Sequence, residues 1–266
     1  MQIETFFNHL WDDYTSLTPQ AARIHRLFID DGNQVVNDHV ALRTYNLAPI
    51  DISSLEPILL NLGYQRFAPY HFESKKLDAW SYTHADPGQP LLFLSELRVQ
   101  DLTESSRDLI QKLCSQVEKT DTLDESIFWR GRPWAMPKWE DYQSLLAESE
   151  YAAWVAVTGI RANHFTISVN HLHTPDLDYV ISLLKKSGIA LNSVGGIIKG
   201  TEIDLLMQCS TLADTTELQF PDGTIHTVTT CYYEFARRFN DTDGLLYRGF
   251  VPASADRIFH STDQQG

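Results

Sequence analysis

The sequence is short of cysteine, of positive charge and of long apolar runs, and each shortage excludes something. Its three cysteines, Cys114, Cys209 and Cys231, lie far apart and form no C-x-x-C pair. An odd, scattered set does not make a disulfide framework, so a reducing, cytoplasmic setting is expected. No apolar stretch approaches the roughly 18 residues that a membrane span needs. The first residues, MQIETFFNHLWDDY, are acidic and lack a basic leader, so no secretory signal is expected. Lysine and arginine total 21 against 35 aspartate and glutamate, a formal net charge of -14. That balance argues against a nucleic-acid partner, which needs a basic face. An anionic substrate would need a local cation instead, so any arginine close to a candidate site stands out. G-x-G-x-x-G, G-x-x-x-x-G-K-[ST] and G-x-S-x-G are absent; Gly195-Gly196 with Lys199-Gly200 reads as a turn. What remains is a chain of 266 residues, 43% hydrophobic, enough for one large domain or for two modules sharing a core.

An internal repeat organises it. Residues 38–64 (DHVALRTYNLAPIDISSLEPILLNLGY) align without a gap on residues 163–189 (NHFTISVNHLHTPDLDYVISLLKKSGI), at an offset of 125. Each copy opens on a small polar residue and a histidine, Asp38-His39 and Asn163-His164. Each continues with the period-two pattern of a strand. A helix follows, with Ile52, Leu55, Ile58, Leu59 and Leu62 at helical spacing in the first copy and Leu177, Val180, Ile181 and Leu184 in the second. Thr174-Pro175-Asp176 reads as an N-cap, a proline at the first helical position and an acidic first turn. Gly63 and Gly188 stand where each helix should end.

A β-rich stretch closes each copy. The first passes through 80–83, turns at Asp86-Pro87-Gly88 and ends in 91–98 (LLFLSELR). The second passes through 203–207 and 216–220, turns at Pro221-Asp222-Gly223 and ends in 228–238 (VTTCYYEFARR). The last strands carry Glu96 and Glu234. The expected fold class is therefore α+β: two βαβββ modules pairing into one cupped sheet, with added helices. Within a single domain spanning 1–266, the expected parts are N-terminal helices over 1–37 and module 1 over 38–98. A helical connector over 99–162, module 2 over 163–239 and an irregular tail over 240–266 complete it.

Two paired modules would bring their first and last strands to a common cavity, where His39, His164 and Glu234 can converge. Two imidazoles and one carboxylate suit Fe(II), Mn(II) or another divalent first-row metal, with open positions for substrate and O₂. No thiolate joins them, which counts against structural zinc. Taken singly, a strand histidine is more often a satisfied core group; the repeat tips the balance. Glu234 sits in a mostly apolar strand, where a carboxylate is costly unless paired or metal-bound; its plainer reading is an ion pair with Arg237 or Arg238. Glu96 is the matching carboxylate of module 1, either a fourth ligand or an ion-pair partner of Arg98. Arg43 lies four residues after His39, on the same strand face, and offers a two-pronged grip on a carboxylate; its plainer reading is a local ion pair. His171 and His173 read as solvated loop residues. The Trp-rich segment 128–139 reads as lid, interface or core.

These residues carry a resemblance. The paired βαβββ pattern resembles the vicinal oxygen chelate superfamily. DHVALRT at 38–44, NHFTISV at 163–169, YYEFAR at 232–237 and VPASADRIF at 251–259 resemble the 2-oxoadipate dioxygenase/decarboxylase family, also called 2-hydroxyglutarate synthase and linked to lysine catabolism. The resemblance runs from about residue 30 onward. It implies a non-haem Fe(II) enzyme that converts 2-oxoadipate, or a similar 2-oxo dicarboxylate, and O₂ into 2-hydroxyglutarate and CO₂. It further implies His39, His164 and Glu234 as iron ligands, Arg43 as the grip on the substrate's far carboxylate, and Ser254 as a pocket residue. Neither nucleic acid nor membrane is an expected partner. Two other classes fit the same scaffold: a redox-inert metal lyase, isomerase or hydrolase of glyoxalase type, which Glu96 as a fourth ligand would favour, and a non-catalytic small-molecule-binding module.

Overall fold

A computed structural model describes residues 2–252, 258 and 261. Ser254 lies outside the described residues. Two helices, Ile3–Leu17 (α1) and Pro19–Asp30 (α2), lead into strand Asn37–Tyr45 (β1). Helix Ile52–Asn61 (α3) and strands Tyr64–Phe72 (β2), Leu77–His84 (β3) and Leu91–Leu97 (β4) follow. Three helices, Glu104–Cys114 (α4), Trp139–Glu148 (α5) and Glu150–Thr158 (α6), connect to strand Arg161–Ser168 (β5). Helix Leu177–Lys186 (α7) and strands Leu206–Ser210 (β6), Thr215–Gln219 (β7), Ile225–Thr229 (β8) and Tyr232–Arg238 (β9) complete the order.

Seven strands make one mixed sheet in the order β2-β3-β4-β1-β5-β9-β6. β1 runs parallel to β4 and β5 parallel to β9, and β1 meets β5 antiparallel at the seam. There His39 faces Thr166 and Ala41 faces His164. At the repeat offset these two pairs exchange, so an approximate twofold axis passes between β1 and β5. The fold is the α+β arrangement of two paired modules expected from the repeat.

The repeat also sets the helices. α3 and α7 begin and end at equivalent positions, and each is capped by an aspartate at the same place. Asp51 accepts from the Ser54 amide at 3.2 Å and Asp176 from the Asp178 amide at 2.9 Å. A side-chain cap of this kind contributes about 1 kcal/mol. The cap expected at Thr174 therefore moves to Asp176, and Pro175 precedes the helix; the Thr174 hydroxyl pairs with the His173 ring instead. Gly63 ends its turn at φ +92°, and a Cβ there would lie 2.6 Å from Nε2 of His84. Both the conformation and the space call for glycine.

The second module departs from the expected strands. The stretch 228–238 is two elements, because the chain breaks at Thr230-Cys231. There the Thr230 amide donates to Asp214 and the Asp214 amide to Cys231, both at 2.8 Å. β7 and β8 pair only with each other and leave the main sheet. The stretch expected at 203–207 starts only at Leu206, since residues 201–204 form a turn and Ile203 is 92% exposed. Along that outer edge the chain pairs only through isolated bridges, Lys199 to Gln208 and Leu191 to Thr211.

Successive residues of β5 and β9 divide between the two faces of the sheet. Phe165, Tyr233 and Phe235 pack against α1 and α2: Phe165 against Trp11 and Tyr14, Tyr233 against Trp11, and Phe235 against Phe28 at 5.4 Å. The opposite face is left for His164, Thr166, Tyr232 and Glu234. The Trp-rich segment serves packing. Trp134 is buried and donates to Ala156 at 2.8 Å, Trp129 meets Phe6, and Trp139 stacks on His226 of the β7–β8 ribbon at 3.8 Å.

Candidate metal centre

His39, His164 and Glu234 meet on the free face, each offering one ligand atom, all within 4.8 Å of one another. Glu234 Oε1 is 3.6 Å from His39 Nε2, and Oε2 is 3.4 Å from His164 Nε2. All three are buried, the Glu234 side chain to 1% exposure. The seam explains the meeting. β1 and β5 are neighbours, β9 lies beside β5, and Glu234 stands opposite Thr166, two residues beyond His164.

Each imidazole is oriented by the residue before it. The His39 Nδ1–H donates to Asp38 at 2.7 Å, and the His164 Nδ1–H to Oδ1 of Asn163 at 3.3 Å. Asp38 is in turn held by Arg238, at 2.8 and 2.9 Å. Both rings therefore present Nε2 to the centre. The Thr166 hydroxyl donates to Nε2 of His39 at 3.1 Å, and Gln208 donates to Glu234. The repeat contained this signal, a small polar residue before each histidine. Sequence alone did not show that those side chains turn back onto the rings.

The donor set fits a cation. Burial pushes the Glu234 carboxyl above its ordinary range, against the pull of His39 and the Gln208 bond. Burial, with His39 and Arg43 nearby, drives His164 well below its ordinary value. Burial also works against an ionised Asp38, but Arg238 and His39 overcome it and hold that carboxyl well below the usual range. A buried carboxylate between two imidazoles is a donor set that a divalent ion would stabilise.

The register corrects one equivalence. With His39 matched to His164, the partner of Glu234 in module 1 is Phe93: Ala41 pairs with Phe93 as Thr166 pairs with Glu234. Glu96 lies three residues on. Its carboxylate accepts from the Ile52 amide at 2.7 Å, at the start of α3. It takes no part in the cluster, nor does it pair with Arg98, which binds Glu73, Asp78 and Asp101. Nor do Arg237 and Arg238 pair with Glu234: Arg238 holds Asp38, and Arg237 lies over Phe239. His171 and His173 are exposed, bonded to Ser168 and Thr174 respectively.

A cavity opens from the three donors. Arg43, Ser95, Gln208 and Tyr232 give it polar lining; Ala41, Phe93, Phe250 and Ile258 give it apolar walls. Arg43 is 1% exposed, bonded to Glu150 at 3.0 Å, with Tyr151 and Trp154 at 4.8 and 5.2 Å from its guanidinium. Arg43 thus lines the cavity and also makes the local ion pair of its plainer reading. Phe250 sets its ring against His39 at 4.8 Å and Phe93 at 5.0 Å. Sequence reasoning did not single out Ser95, Gln208, Tyr232 or Phe250. Ser95, Gln208 and Phe250 come to the site through strand register or the late tail, whereas Tyr232, two residues before Glu234, shares its strand face by alternation.

Two similar halves sharing one sheet, with two imidazoles and a carboxylate together on one face, give a glyoxalase-like fold with a group of residues that could hold a metal ion. A Ralstonia eutropha protein of the glyoxalase superfamily shares this fold, with a TM-score of 0.77 over 91% of this chain and 83% of that one, at 22% identity. The chain belongs to the 2-oxoadipate dioxygenase/decarboxylase family, whose family model matches residues 6–241. It is 33% identical to the chloroplastic/amyloplastic 2-oxoadipate dioxygenase/decarboxylase of Oryza sativa, over 97% of this chain and 78% of that protein. A rice hydroxyglutarate synthase solved in complex with 2-oxoadipate superposes with a TM-score of 0.89 at 32% identity, covering 98% of this chain and 91% of that one. A Shewanella frigidimarina protein bearing a provisional hydrolase designation also gives 0.89, at 43% identity over 95% and 98%.

Proposed function

We propose that this chain is an Fe(II)-dependent 2-oxoadipate dioxygenase/decarboxylase, converting 2-oxoadipate and O₂ into 2-hydroxyglutarate and CO₂. The observation that carries the reading is the convergence of His39, His164 and Glu234 at the floor of a cavity that also contains Arg43. The rice relative solved with 2-oxoadipate, similar over nearly the whole chain, supports the substrate.

In this reading His39, His164 and Glu234 hold the iron. The iron supplies activation of O₂ and an anchor for the 2-oxo acid end of the substrate. Asp38 and Asn163 keep the imidazole protons on Nδ1, leaving Nε2 of each ring free to bind metal. Gln208 fixes the Glu234 carboxylate by its side-chain amide. Arg43, prepositioned by Glu150 and two aromatic rings, meets the far carboxylate of the substrate. Ser254 belongs to the same pocket by family resemblance. Phe93, Phe250 and Ile258 keep water from the reacting end. The balance closes without an outside reductant, since both atoms of O₂ appear in the products.

The test is oxygen uptake by anaerobically Fe(II)-loaded protein on addition of 2-oxoadipate, with 2-oxoglutarate and no substrate as controls. Uptake matched by equal CO₂ and 2-hydroxyglutarate is expected. Stoichiometric bound iron with no uptake would sink the reading.

A further inference from the structure

β9 carries two tyrosines side by side, and they face opposite ways. Both hydroxyls are buried without a hydrogen-bond partner among the described residues. Tyr233 is surrounded by Trp11, Tyr14 and Phe235, on the helix-covered face. Tyr232 lines the cavity, its ring stacked on His164 at 4.6 Å and 24°. Its peptide oxygen accepts from Tyr14, which pins the backbone.

A buried donor left unpaired costs about 1–3 kcal/mol, and one that lines a cavity, as Tyr232 does and Tyr233 does not, can recover that cost from a ligand. The unpaired O–H of Tyr232 shares its cavity with a guanidinium. A donor beside a cation calls for an anionic oxygen, and a carboxylate offers two.

We propose that Tyr232 is a substrate-binding residue, donating a hydrogen bond to the far carboxylate of the 2-oxo dicarboxylate beside Arg43, and so selecting dicarboxylic over monocarboxylic 2-oxo acids. This rests on the function proposed above. At the equivalent register position of module 1 stands Leu91, opposite His39, which has no hydroxyl to offer. At this register position both halves have an imidazole opposite, and β9 adds a hydroxyl where β4 has an aliphatic side chain.

Tyr232→Phe tests this, because it keeps the ring stacked on His164 and removes one oxygen. Zn(II)-loaded wild type and variant are titrated calorimetrically with 2-oxoadipate and with 2-oxohexanoate, which has the same chain length but no second carboxylate. The variant is expected to bind 2-oxoadipate about tenfold more weakly and 2-oxohexanoate equally well. Unchanged 2-oxoadipate affinity, or an equal loss for both ligands, overturns the proposal. So does loss of zinc from the variant, which would make the hydroxyl a support of the metal site instead of a substrate contact. A wild-type protein that fails to bind 2-oxoadipate would instead remove the functional reading itself.

Discussion

Asp38 and Arg238, 200 positions apart, are joined by two hydrogen bonds of 2.8 and 2.9 Å, and the same carboxylate receives the Nδ1–H of His39 at 2.7 Å. Arg238 also donates to the carbonyls of Tyr247 and Gly249. The pair therefore connects a candidate metal ligand to the segment that carries Phe250. Asp38→Asn should lower metal affinity by about 10–100-fold, read by competition with a chromophoric chelator. Arg238→Met leaves the Asp38 charge buried and should cost about 3–5 kcal/mol, read from the denaturation midpoint. Unaltered metal affinity in Asp38→Asn would remove the orienting role.

The three donors predict a pattern of loss. His39→Ala and Glu234→Ala should carry almost no metal by elemental analysis, whereas Arg43→Ala should keep it and bind 2-oxoadipate poorly. Because a ligand bound only to the folded state raises stability, a chelator should lower the melting temperature of the wild type and leave that of His39→Ala where it was. A metal content in His39→Ala equal to wild type would refute the assignment.

Arg43 faces the cavity with its charge already balanced by Glu150. Glu150→Gln keeps the shape and removes that balance. Binding of 2-oxoadipate should tighten several-fold, while thermal stability falls, because a buried guanidinium loses the carboxylate bonded to it. Opposite signs in the two measurements are the signature; weaker binding in Glu150→Gln would contradict it.

Asp13 on α1 lies 3.4 Å from Arg161, yet burial outweighs that charge and pushes its carboxyl up from 3.8 to about 6. The folded protein thus holds this proton more tightly than the unfolded chain. The resulting stabilisation is complete below about pH 4 and is lost as the pH rises through about 6. Asp13→Asn has no such dependence. Its stability relative to wild type should therefore rise between pH 4 and pH 7.5 by about 2–3 kcal/mol, measured by urea denaturation across that range. A constant difference would mean that Asp13 titrates normally.

Much of the site was legible because duplication writes the same chemistry twice. His39 and His164 stand out as one position seen in two copies, and Arg43 follows from strand alternation. What stayed hidden depends on register and long-range bonds. Glu96 looked like the counterpart of Glu234 because each precedes an arginine at a strand end; only the pairing of Ala41 with Phe93 shows the offset of three residues. The alternation of 228–238 runs on through Thr230 and Cys231, but two backbone bonds to Asp214 turn the chain there. Asp214 is 14 residues upstream of the stretch, and nothing in the local pattern announces it. The cap of α7 was misplaced by two residues for a similar reason: Thr174 is a good cap in isolation, and its hydroxyl is already taken by His173.

The exchange of His39 and His164 across the seam has a consequence for how the molecule is assembled. Neither half owns a complete set of donors, since each brings one imidazole and Glu234 comes from the second half alone. An ion held there is a bolt through the joint between two otherwise similar pieces. It can be seated only after β9 has been synthesised and has docked, so metal capture reports that both halves have been built and have closed on each other.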